Sequence, residues 1–444
     1  MFRRLYTLLL ALLLLPLLAL FAWRAWRRPE YRDRWWQRLG LGVPAVPAQR
    51  PCVWVHAVSV GEVVAATALI KRMQLHYPDW TIMITTLTPT GAERVRRNFG
   101  DTVIHHYLPL DLPWMVGRLL DRLRPRLVIV METELWPNLL AACSRRQIPV
   151  LLANARISER SLGNYLRLRS LMHETLASVT CAAAQSAADG ERLAQLGLER
   201  SRILVTGNLK FDREPRDSDL AAPDWRAGWG PNRRVWIAGS THEGEDGLLL
   251  DALNGLWCRW PDLLLVLVPR HPQRFEAVRA LLDARGIRYA RRSAGQWPTS
   301  AMPVFLVDTM GELGMLYEAA DFAFIGGSLV PVGGHNALEA AAHAVPVLTG
   351  PSTFNFRDIY AALREVGAAV VVDDAESLAH GVEAWLKEPQ AARRAGERGQ
   401  RWMMDNRGAL DRLWAVIETY MGGTPPAAHE PRPAPAYRRP AEAQ

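Results

Sequence analysis

Residues 53–73 read VWVHAVSVGEVVAATALIKRM, and this stretch joins a strand to a helix through one short turn. The first three residues favour a buried strand, and a helix-forming segment follows the turn. A dinucleotide-binding turn at this point of a Rossmann-type fold would carry glycines spaced as G-x-G-x-x-G, which let a pyrophosphate approach the backbone. This turn carries Gly61 and the carboxylate Glu62 instead. The sequence therefore predicts a Rossmann-like unit whose first turn does not serve as a phosphate cradle.

The same alternation of apolar strand segments and helical segments continues along most of the chain. The predicted strands are CVWVHAV, TIMITT, VIHHYLP, LVIVME, PVLLANA, TCAAAQ and ILVTGN in the first half, and VWIAGST, LLLVLVPRH, PVFLVD, FAFIGGS, VPVLTG and AAVVVD in the second. Strict alternation predicts parallel sheets with helices on both faces. Because 444 residues exceed one ordinary core, two domains of about 150 to 200 residues are expected.

Changes in composition predict the domain boundaries. Residues 212–234 are rich in proline, glycine and charge, which is typical of a linker, and the proline-rich end of the chain favours disorder. We therefore expect a membrane anchor at 1–23, a basic and aromatic membrane-interface segment at 24–48, Rossmann-like domains at 49–211 and 235–420 around the linker 212–234, and a disordered tail at 421–444.

The first residues favour a membrane anchor that is not cleaved. Leu5–Trp23 is a run of 19 uncharged residues, long enough to cross a hydrocarbon core of about 30 Å and longer than the roughly 7 to 15 apolar residues of a signal peptide. Two arginines precede the run and six follow it before residue 39. Since positive residues favour the cytoplasmic side, we expect a single-pass anchor with the rest of the chain in the cytoplasm.

Charge and cysteine content restrict the partners. Residues 24–170 carry 22 Lys and Arg against 11 Asp and Glu, whereas the whole chain has a net charge of +8. A basic first half indicates an anionic partner such as a phospholipid surface, a nucleic acid or a phosphorylated substrate, and the apolar N-terminal run favours the membrane over nucleic acid. The four cysteines form no C-x-x-C pair, which favours free thiols over a disulfide framework or a zinc site.

Three loops of the second half follow predicted strands and suit a nucleotide. They read LVPRHPQRF, VDTMGELGMLYEAAD and GGSLVPVGGHNALEAAA. Arg270 could compensate a phosphate, a helix starting near Gly311 offers unpaired N–H groups, and Glu339 could accept hydrogen bonds from ribose hydroxyls. The neighbouring His271 and His335 are, taken singly, typical of surface or capping histidines.

Candidate catalytic groups of the first half also follow predicted strands. VMETELWPN places Glu132 and Glu134 after LVIV, and GNLKFD places Lys210 after the last strand of this half. Glu134 suits a helix-start acid, and the spacing is equally consistent with Lys210 as a solvated lysine. No G-x-x-x-x-G-K-[ST] or H-E-x-x-H is present, and the one D-x-D lies in the linker at 217–219. The sequence therefore offers no visible metal-ligand set.

With these motifs in view, the chain resembles the 3-deoxy-D-manno-octulosonic acid (Kdo) transferases, the lipid A-modifying glycosyltransferases of Gram-negative bacteria. The resemblance extends from the N-terminal run to about residue 420. The motifs that carry it are HAVSVGE, TTLTPTG, YLPLDLPW, METELWPN, NARIS, GNLKFD, GSTHEGED, VPRHPQRF and GGHNALEAAA.

The resemblance implies an α/β protein of GT-B architecture, in which two Rossmann-like domains, one for the acceptor and one for the donor, face a central cleft. It implies an inverting transfer of Kdo from CMP-Kdo to the lipid A precursor lipid IVA at the inner membrane, without cofactor, metal or nucleic acid. It implies Glu62 as general base, with Glu132 and Lys210 stabilising the transition state. The implied CMP-binding residues are Pro269, Arg270, Met310, Gly311, Glu312, Asn336, Ala337, Leu338 and Glu339.

Two alternatives stay open at this point. Another membrane-associated GT-B transferase, using a UDP- or ADP-activated sugar, would need the same fold and the same phosphate-binding loops. A membrane-tethered nucleotide-binding scaffold is the alternative from a different class, but a scaffold does not need two carboxylates at strand ends.

Overall fold

The computed structural model describes residues 1–47, 49–212 and 223–422, which form two compact units. Unit 1 contains the described residues up to 212 together with those from 406 to 422, and unit 2 contains those from 223 to 405. Almost all of the expected tail, and the D-x-D at 217–219, lie outside the described residues.

Unit 1 is built on a seven-stranded parallel sheet in the order β3-β2-β1-β4-β5-β6-β7. Its strands are β1 (Cys52–His56), β2 (Thr81–Thr86), β3 (Ile104–Tyr107), β4 (Leu127–Met131), β5 (Val150–Ala155), β6 (Cys181–Ala184) and β7 (Ile203–Val205). Its helices are α1 (Phe2–Leu12), α2 (Leu14–Arg27), α3 (Val60–His76), α4 (Pro89–Phe99), α5 (Pro113–Leu123), α6 (Pro137–Arg145), α7 (Glu159–Arg167), α8 (Arg169–Leu176), α9 (Ala187–Gln195) and, from the end of the chain, α18 (Ala409–Met421).

Unit 2 repeats this plan with a parallel sheet in the order β10-β11-β9-β8-β12-β13-β14. Its strands are β8 (Arg234–Thr241), β9 (Leu263–Pro269), β10 (Tyr289–Arg291), β11 (Val304–Leu306), β12 (Phe322–Ile325), β13 (Val347–Thr349) and β14 (Ala369–Val371). Its helices are α10 (Trp225–Trp229), α11 (Glu245–Trp257), α12 (Phe275–Ala284), α13 (Leu313–Tyr317), α14 (Leu338–Ala342), α15 (Arg357–Glu365), α16 (Ala375–Lys387) and α17 (Pro389–Asp405).

The continuous apolar runs of the sequence become strands that are covered on both faces. Every residue of β1, β4, β5 and β6 is buried. Val53 and Val55 pack into one core cluster with α3, while Trp54 points to the opposite cluster with α5 and α6. This arrangement is the one expected of a parallel sheet between two helical layers. The predicted doubly wound α/β class is therefore confirmed for both units.

The second domain does not extend to residue 420 as expected from the sequence, because α18 returns to unit 1. Trp414 and Ile417 pack into the same core cluster as Ile70 of α3. The Asp212 carboxylate accepts a hydrogen bond of 2.6 Å from the backbone N–H of Gly408, which fixes the start of α18. The amphipathic pattern of such a helix predicts that one face packs against a core, but it does not indicate which domain provides that core.

The expected linker is shorter than residues 212–234. Trp225 and Trp229 of α10 are buried in unit 2, and β8 already begins at Arg234. The strand β10 was missed, because three residues at the edge of a sheet give too short an apolar pattern to recognise.

The N-terminal run does not form the single straight helix expected over Leu5–Trp23. Residues 2–27 form α1 and α2, which meet at Leu13 with a bend of 50°. Within the described residues, no one helix has the length and apolar character needed to cross a membrane, although the bent pair taken together does. Leu12 and Leu15, on either side of the bend, are 68% and 76% exposed.

Polar contacts hold α1 against unit 1. The Asn138 side-chain amide donates to Thr7 Oγ1 at 2.9 Å, and Arg3 Nε donates to Glu174 Oε1 at 3.4 Å. These contacts join the first helix to α6 and α8.

The expected membrane-interface segment 24–48 is partly incorporated into unit 1 as well. Gln37 and Arg38 are buried, and Arg38 Nη2 donates to the carbonyl oxygen of Leu87 at 2.9 Å. The basic and aromatic composition of this segment therefore reflects packing as well as exposure.

Candidate active site

Each sheet has a point at which the strand order changes direction, and ligands of doubly wound folds bind beside such points at the carboxyl ends of the strands. In unit 1 this point lies between β1 and β4, and in unit 2 it lies between β8 and β12. Glu62, Glu132 and residues 336–339 follow these strands in the chain, whereas Lys210, Arg270 and residues 310–312 follow other strands of the two sheets.

Glu62 lies in the first turn of α3, directly after β1. Ser59 is the N-cap residue, and its hydroxyl donates to Glu62 Oε1 at 3.0 Å while Glu62 Oε2 accepts from the backbone N–H of Val58 at 2.7 Å. The side chain is nevertheless buried, and burial raises the pKa of Glu62 to about 7 against the two hydrogen bonds that lower it. Glu62 is therefore a capping residue and also a carboxyl group able to exchange a proton near neutral pH.

Two further carboxylates follow the neighbouring strand β4. Their charges contribute to the raised pKa of Glu62, although burial contributes more. Glu132 has a φ of 54°, a left-handed conformation that non-glycine residues rarely adopt and that is frequent at functional sites. Glu134 accepts a hydrogen bond of 3.1 Å from Trp136 Nε1, and burial raises the pKa of Glu134 to about 6. The ends of β1 and β4 thus form an acidic cluster, which the sequence predicted for Glu62 and Glu132 but not for Glu134.

The turn that carries Lys210 is attached to the carboxyl end of β5. Asn154, at a φ of 55°, accepts a hydrogen bond of 3.0 Å on Oδ1 from the backbone N–H of Leu209. Lys210 is half-buried in the short 3₁₀ helix that starts at Leu209. Asn154 therefore positions the Lys210 turn, a role that its place in the NARIS motif did not reveal.

In unit 2, β9 ends at Pro269 and Arg270 follows it. The backbone N–H of Arg270 donates to the Thr241 carbonyl at 3.0 Å, which joins the ends of β8 and β9. Arg274 forms an ion pair with the buried Asp246, but no ion pair of Arg270 is found in the described part of the chain. The half-buried Arg270 guanidinium therefore remains available to an anion.

The loop after β11 contains Met310, Gly311 and Glu312. Met310 is 54% exposed, and Gly311 has a φ of 92°. Arg292 binds the Glu312 carboxylate through Nη2 at 2.7 Å and Nε at 3.0 Å. The side chain of Glu312 is thus already paired within unit 2, which leaves its backbone as the group able to contact a ligand.

A buried carboxylate binds the backbone at the start of the glycine-rich loop that follows β12. Glu245, fully buried at the start of α11, accepts hydrogen bonds of 2.7 to 3.0 Å from the backbone N–H groups of Gly327, Ser328 and Leu329. Gly333 has a φ of 101°, and a Cβ atom there would lie 2.6 Å from the side chain of Asn355. Only glycine fits this turn.

The residues Asn336, Ala337, Leu338 and Glu339 follow that turn. Ala337 and Leu338 are buried, whereas Glu339 is half-buried in the first turn of α14. The helix begins at Leu338, and Asn336 Oδ1 accepts from the Leu338 N–H at 3.2 Å.

Two histidines meet between the glycine-rich loop and the end of β8. Nε2 of His242 and Nε2 of His335 are 2.7 Å apart, whereas the ring centres are 5.0 Å apart with the planes 11° from parallel. Since the nitrogens are much closer than the ring centres, the rings meet end to end through an N–H···N hydrogen bond. Sequence analysis missed this pair, because its members are 93 residues apart.

Comparison with known proteins agrees with this organisation. The sequence pattern of the family described as 3-deoxy-D-manno-octulosonic-acid transferase (kdotransferase) matches residues 33–213, and that of glycosyl transferases group 1 matches residues 303–402. A 3-deoxy-D-manno-octulosonic acid transferase of Haemophilus influenzae is 42% identical over 423 residues, covering 95% of this chain and 99% of its own. The chain belongs to the Kdo transferase family.

Two solved structures are also similar to this Kdo transferase. The C-terminal CMP-Kdo-binding domain of WaaA from Acinetobacter baumannii shares 34% identity, with a TM-score of 0.39, and covers 40% of this chain and 93% of its own. UDP-GlcNAc 2-epimerase from Neisseria meningitidis shares 14% identity, with a TM-score of 0.56, and covers 84% of this chain and all of its own. The second likeness concerns the fold alone. The two parallel-sheet α/β units resemble those of GT-B glycosyltransferases.

Proposed function

We propose that this Kdo transferase moves Kdo from CMP-Kdo to a hydroxyl group of the lipid A precursor lipid IVA, with inversion at the sugar carbon. The Kdo donor comes from membership of the family, and the observation that carries the transfer step is the buried carboxyl group of Glu62, which lies beside two further carboxylates and has a pKa raised to about 7. A general base is most effective when its pKa lies near the working pH.

Unit 1 supplies the groups that act on the acceptor. Glu62 removes the proton of the acceptor hydroxyl as its oxygen bonds to the Kdo carbon, and the bond between that carbon and the CMP oxygen breaks, with CMP keeping the electron pair. Glu132 follows the adjacent strand β4, and its carboxylate stabilises the positive charge that develops on the sugar ring. The cationic Lys210 stabilises the negative charge that develops on CMP as it leaves. Asn154 positions the turn that carries Lys210 through its hydrogen bond with the backbone of Leu209.

Unit 2 supplies the groups that bind CMP. Arg270 neutralises the phosphate, and the backbone of Met310, Gly311 and Glu312 contacts the nucleotide. The segment from Asn336 to Leu338 approaches it after the glycine-rich turn, and Glu339 accepts hydrogen bonds from the ribose. The 34% identity to a domain named for binding CMP-Kdo supports this assignment to unit 2. The leaving phosphate needs no metal in this scheme, because arginine supplies the compensating charge.

The enzyme acts at the cytoplasmic face of the inner membrane, where it is held by α1 and α2. Exposed leucines cover both helices, and the tryptophans Trp23 and Trp26 at the end of α2 are 48% and 74% exposed. Indole side chains favour the boundary between lipid and water. Because α1 is bound to unit 1 through Thr7 and Arg3, we propose that the bent pair lies against the membrane and inserts its leucine surface.

Incubation with CMP-Kdo and lipid IVA, followed by mass spectrometry of the lipid, tests the proposed activity. Addition of Kdo that is lost in the Glu62→Gln variant supports it. Competition between CMP and UDP for the enzyme distinguishes the main alternative, since a transferase for UDP-activated sugars would be inhibited by UDP and not by CMP.

A further inference from the structure

The His242–His335 pair lies at the site proposed for the donor phosphate, yet nothing in the scheme above uses it. His242 follows β8, and His335 follows the glycine-rich turn whose backbone Glu245 holds. Both histidines lie close enough to Arg270 for its positive charge to lower their pKa values.

The geometry of the bond restricts the protonation states of the pair. An Nε2–H···Nε2 hydrogen bond needs one proton between the two nitrogens, so one ring donates and the other accepts. The pair keeps this bond when it is neutral, and also when it carries one extra proton, because an imidazolium ring can donate to a neutral one. A second extra proton would place two N–H groups against each other and break it. The pair is therefore able to hold one positive charge without rearranging.

The surroundings of the pair oppose that charge in the absence of an anion. The pKa of His335 is lowered to about 4, first by burial and then by the nearby Arg270, His242 and His271. Burial also lowers the pKa of His242, where Glu245 acts in the opposite direction and His271, Arg274 and Arg270 add to the decrease. A bound phosphate would compensate the arginines, and protonation of the pair would then become favourable.

We propose that the His242–His335 pair takes up one proton when the donor phosphate binds beside Arg270. This inference rests on the proposed function. The phosphate of CMP-Kdo is a diester with one negative charge, and it becomes a doubly charged monoester when CMP leaves with the electron pair. A proton taken from solvent on binding and held by the pair offsets the charge that develops in this step. A histidine pair that served only to fix the glycine-rich loop would bind no proton on ligand binding.

Calorimetric titration of the full-length enzyme with CMP near pH 7, in buffers of different ionisation enthalpy, counts the protons exchanged. We expect an uptake of up to about one proton per CMP. The sign of the proton exchange is informative. A cationic site lowers the pKa for the second ionisation of the CMP phosphate, which is about 6 in free solution. The nucleotide itself would therefore release protons.

His335→Gln and His242→Gln keep a polar side chain but remove the titrating pair, and both should abolish the uptake. Turnover should fall by about 10²-fold in each, comparable with the loss of one oxyanion-type donor. His271→Gln is the matched control, because His271 is a neighbouring histidine of the same site outside the bond. Its proton uptake should persist, because both nitrogens of the bond remain.

The outcomes separate the two levels of the proposal. If CMP does not bind at all, the proposed donor is wrong. If CMP binds without proton uptake, or if the uptake persists in His335→Gln or disappears in His271→Gln, only the role of the pair is refuted. A thermal unfolding curve of each variant shows whether the protein is folded, and CMP affinity measured between about pH 5 and pH 8 gives a second measure of the linkage.

Discussion

Replacing Glu62 by glutamine separates its role as a helix cap from its role as a general base, because glutamine keeps the size and one oxygen acceptor but cannot accept a proton. If Glu62 is the general base, Glu62→Gln should lower turnover by about 10²- to 10⁴-fold, the usual contribution of such a group. In the parent enzyme the base acts only when ionised, so turnover should rise about tenfold per pH unit below pH 7 and level off above it.

The raised pKa of Glu62 also predicts how the free energy of unfolding depends on pH. Each unit of difference between the folded and unfolded pKa corresponds to about 1.4 kcal/mol. A carboxyl group whose pKa rises from 4.5 to about 7 on folding stabilises the protein fully below pH 4.5 and loses this contribution as the pH rises through 7. The free energy of unfolding of the parent should therefore fall by about 3 kcal/mol over this range relative to that of Glu62→Gln.

Urea unfolding of both proteins at about pH 5 and pH 8 measures this difference, and a radiolabelled-Kdo transfer assay measures turnover. Ser59→Ala is the control: it removes the N-cap hydroxyl and should lower stability by about 1 kcal/mol while the base remains. Near-normal transfer by Glu62→Gln, with a stability loss like that of Ser59→Ala, would show that Glu62 is a cap and not a base.

Further predictions concern the acidic cluster, the donor site and the membrane surface. Glu132→Gln removes a charge that raises the pKa of Glu62, so the acidic limb of the pH–rate profile should move to lower pH; an unchanged limb would show that the two groups are uncoupled. Arg270→Ala should weaken CMP inhibition and reduce transition-state stabilisation by about 2 to 4 kcal/mol, and equal inhibition of mutant and parent would exclude Arg270 from the site. Leu12→Asp should reduce partition onto anionic vesicles by at least about tenfold, since a charge near the apolar part of a bilayer is unfavourable. Leu75→Asp, at a leucine of α3 that is 77% exposed, should leave partition unchanged; an equal loss in both variants would contradict the proposed membrane surface.

Local patterns sufficed to predict the two sheets, because buried parallel strands give continuous apolar runs that few other structures share. The carboxylates Glu62 and Glu132 were predictable for the same reason, since residues after such strands lie at one edge of the sheet. The pairing of Glu312 with Arg292 and the bond between His242 and His335 were not, because each joins residues from different loops.

The bend at Leu13 was missed in the sequence analysis, although Pro16 gave a local signal for it. A proline inside a helix has no N–H group to donate, and its ring clashes with the carbonyl four residues earlier, here that of Leu12, which bends or breaks the helix. The contacts that hold α1 to unit 1 arise from α6 and α8, more than a hundred residues further along the chain. The apolar run therefore predicted helix in this segment but not its division into α1 and α2.

The return of α18 to unit 1 makes unit 2 an insertion within the first fold, joined to it at both ends. The core of unit 1 lacks Trp414 and Ile417 until residue 421 has left the ribosome, so the N-terminal half cannot complete its packing before the inserted unit has been synthesised. A fragment that ends in the segment after residue 212 is for the same reason an incomplete domain with an exposed apolar face on α3. Unit 2, in contrast, can be cut out as one uninterrupted stretch of chain, and joining residue 212 directly to residue 406 would be the corresponding way to obtain unit 1 by itself.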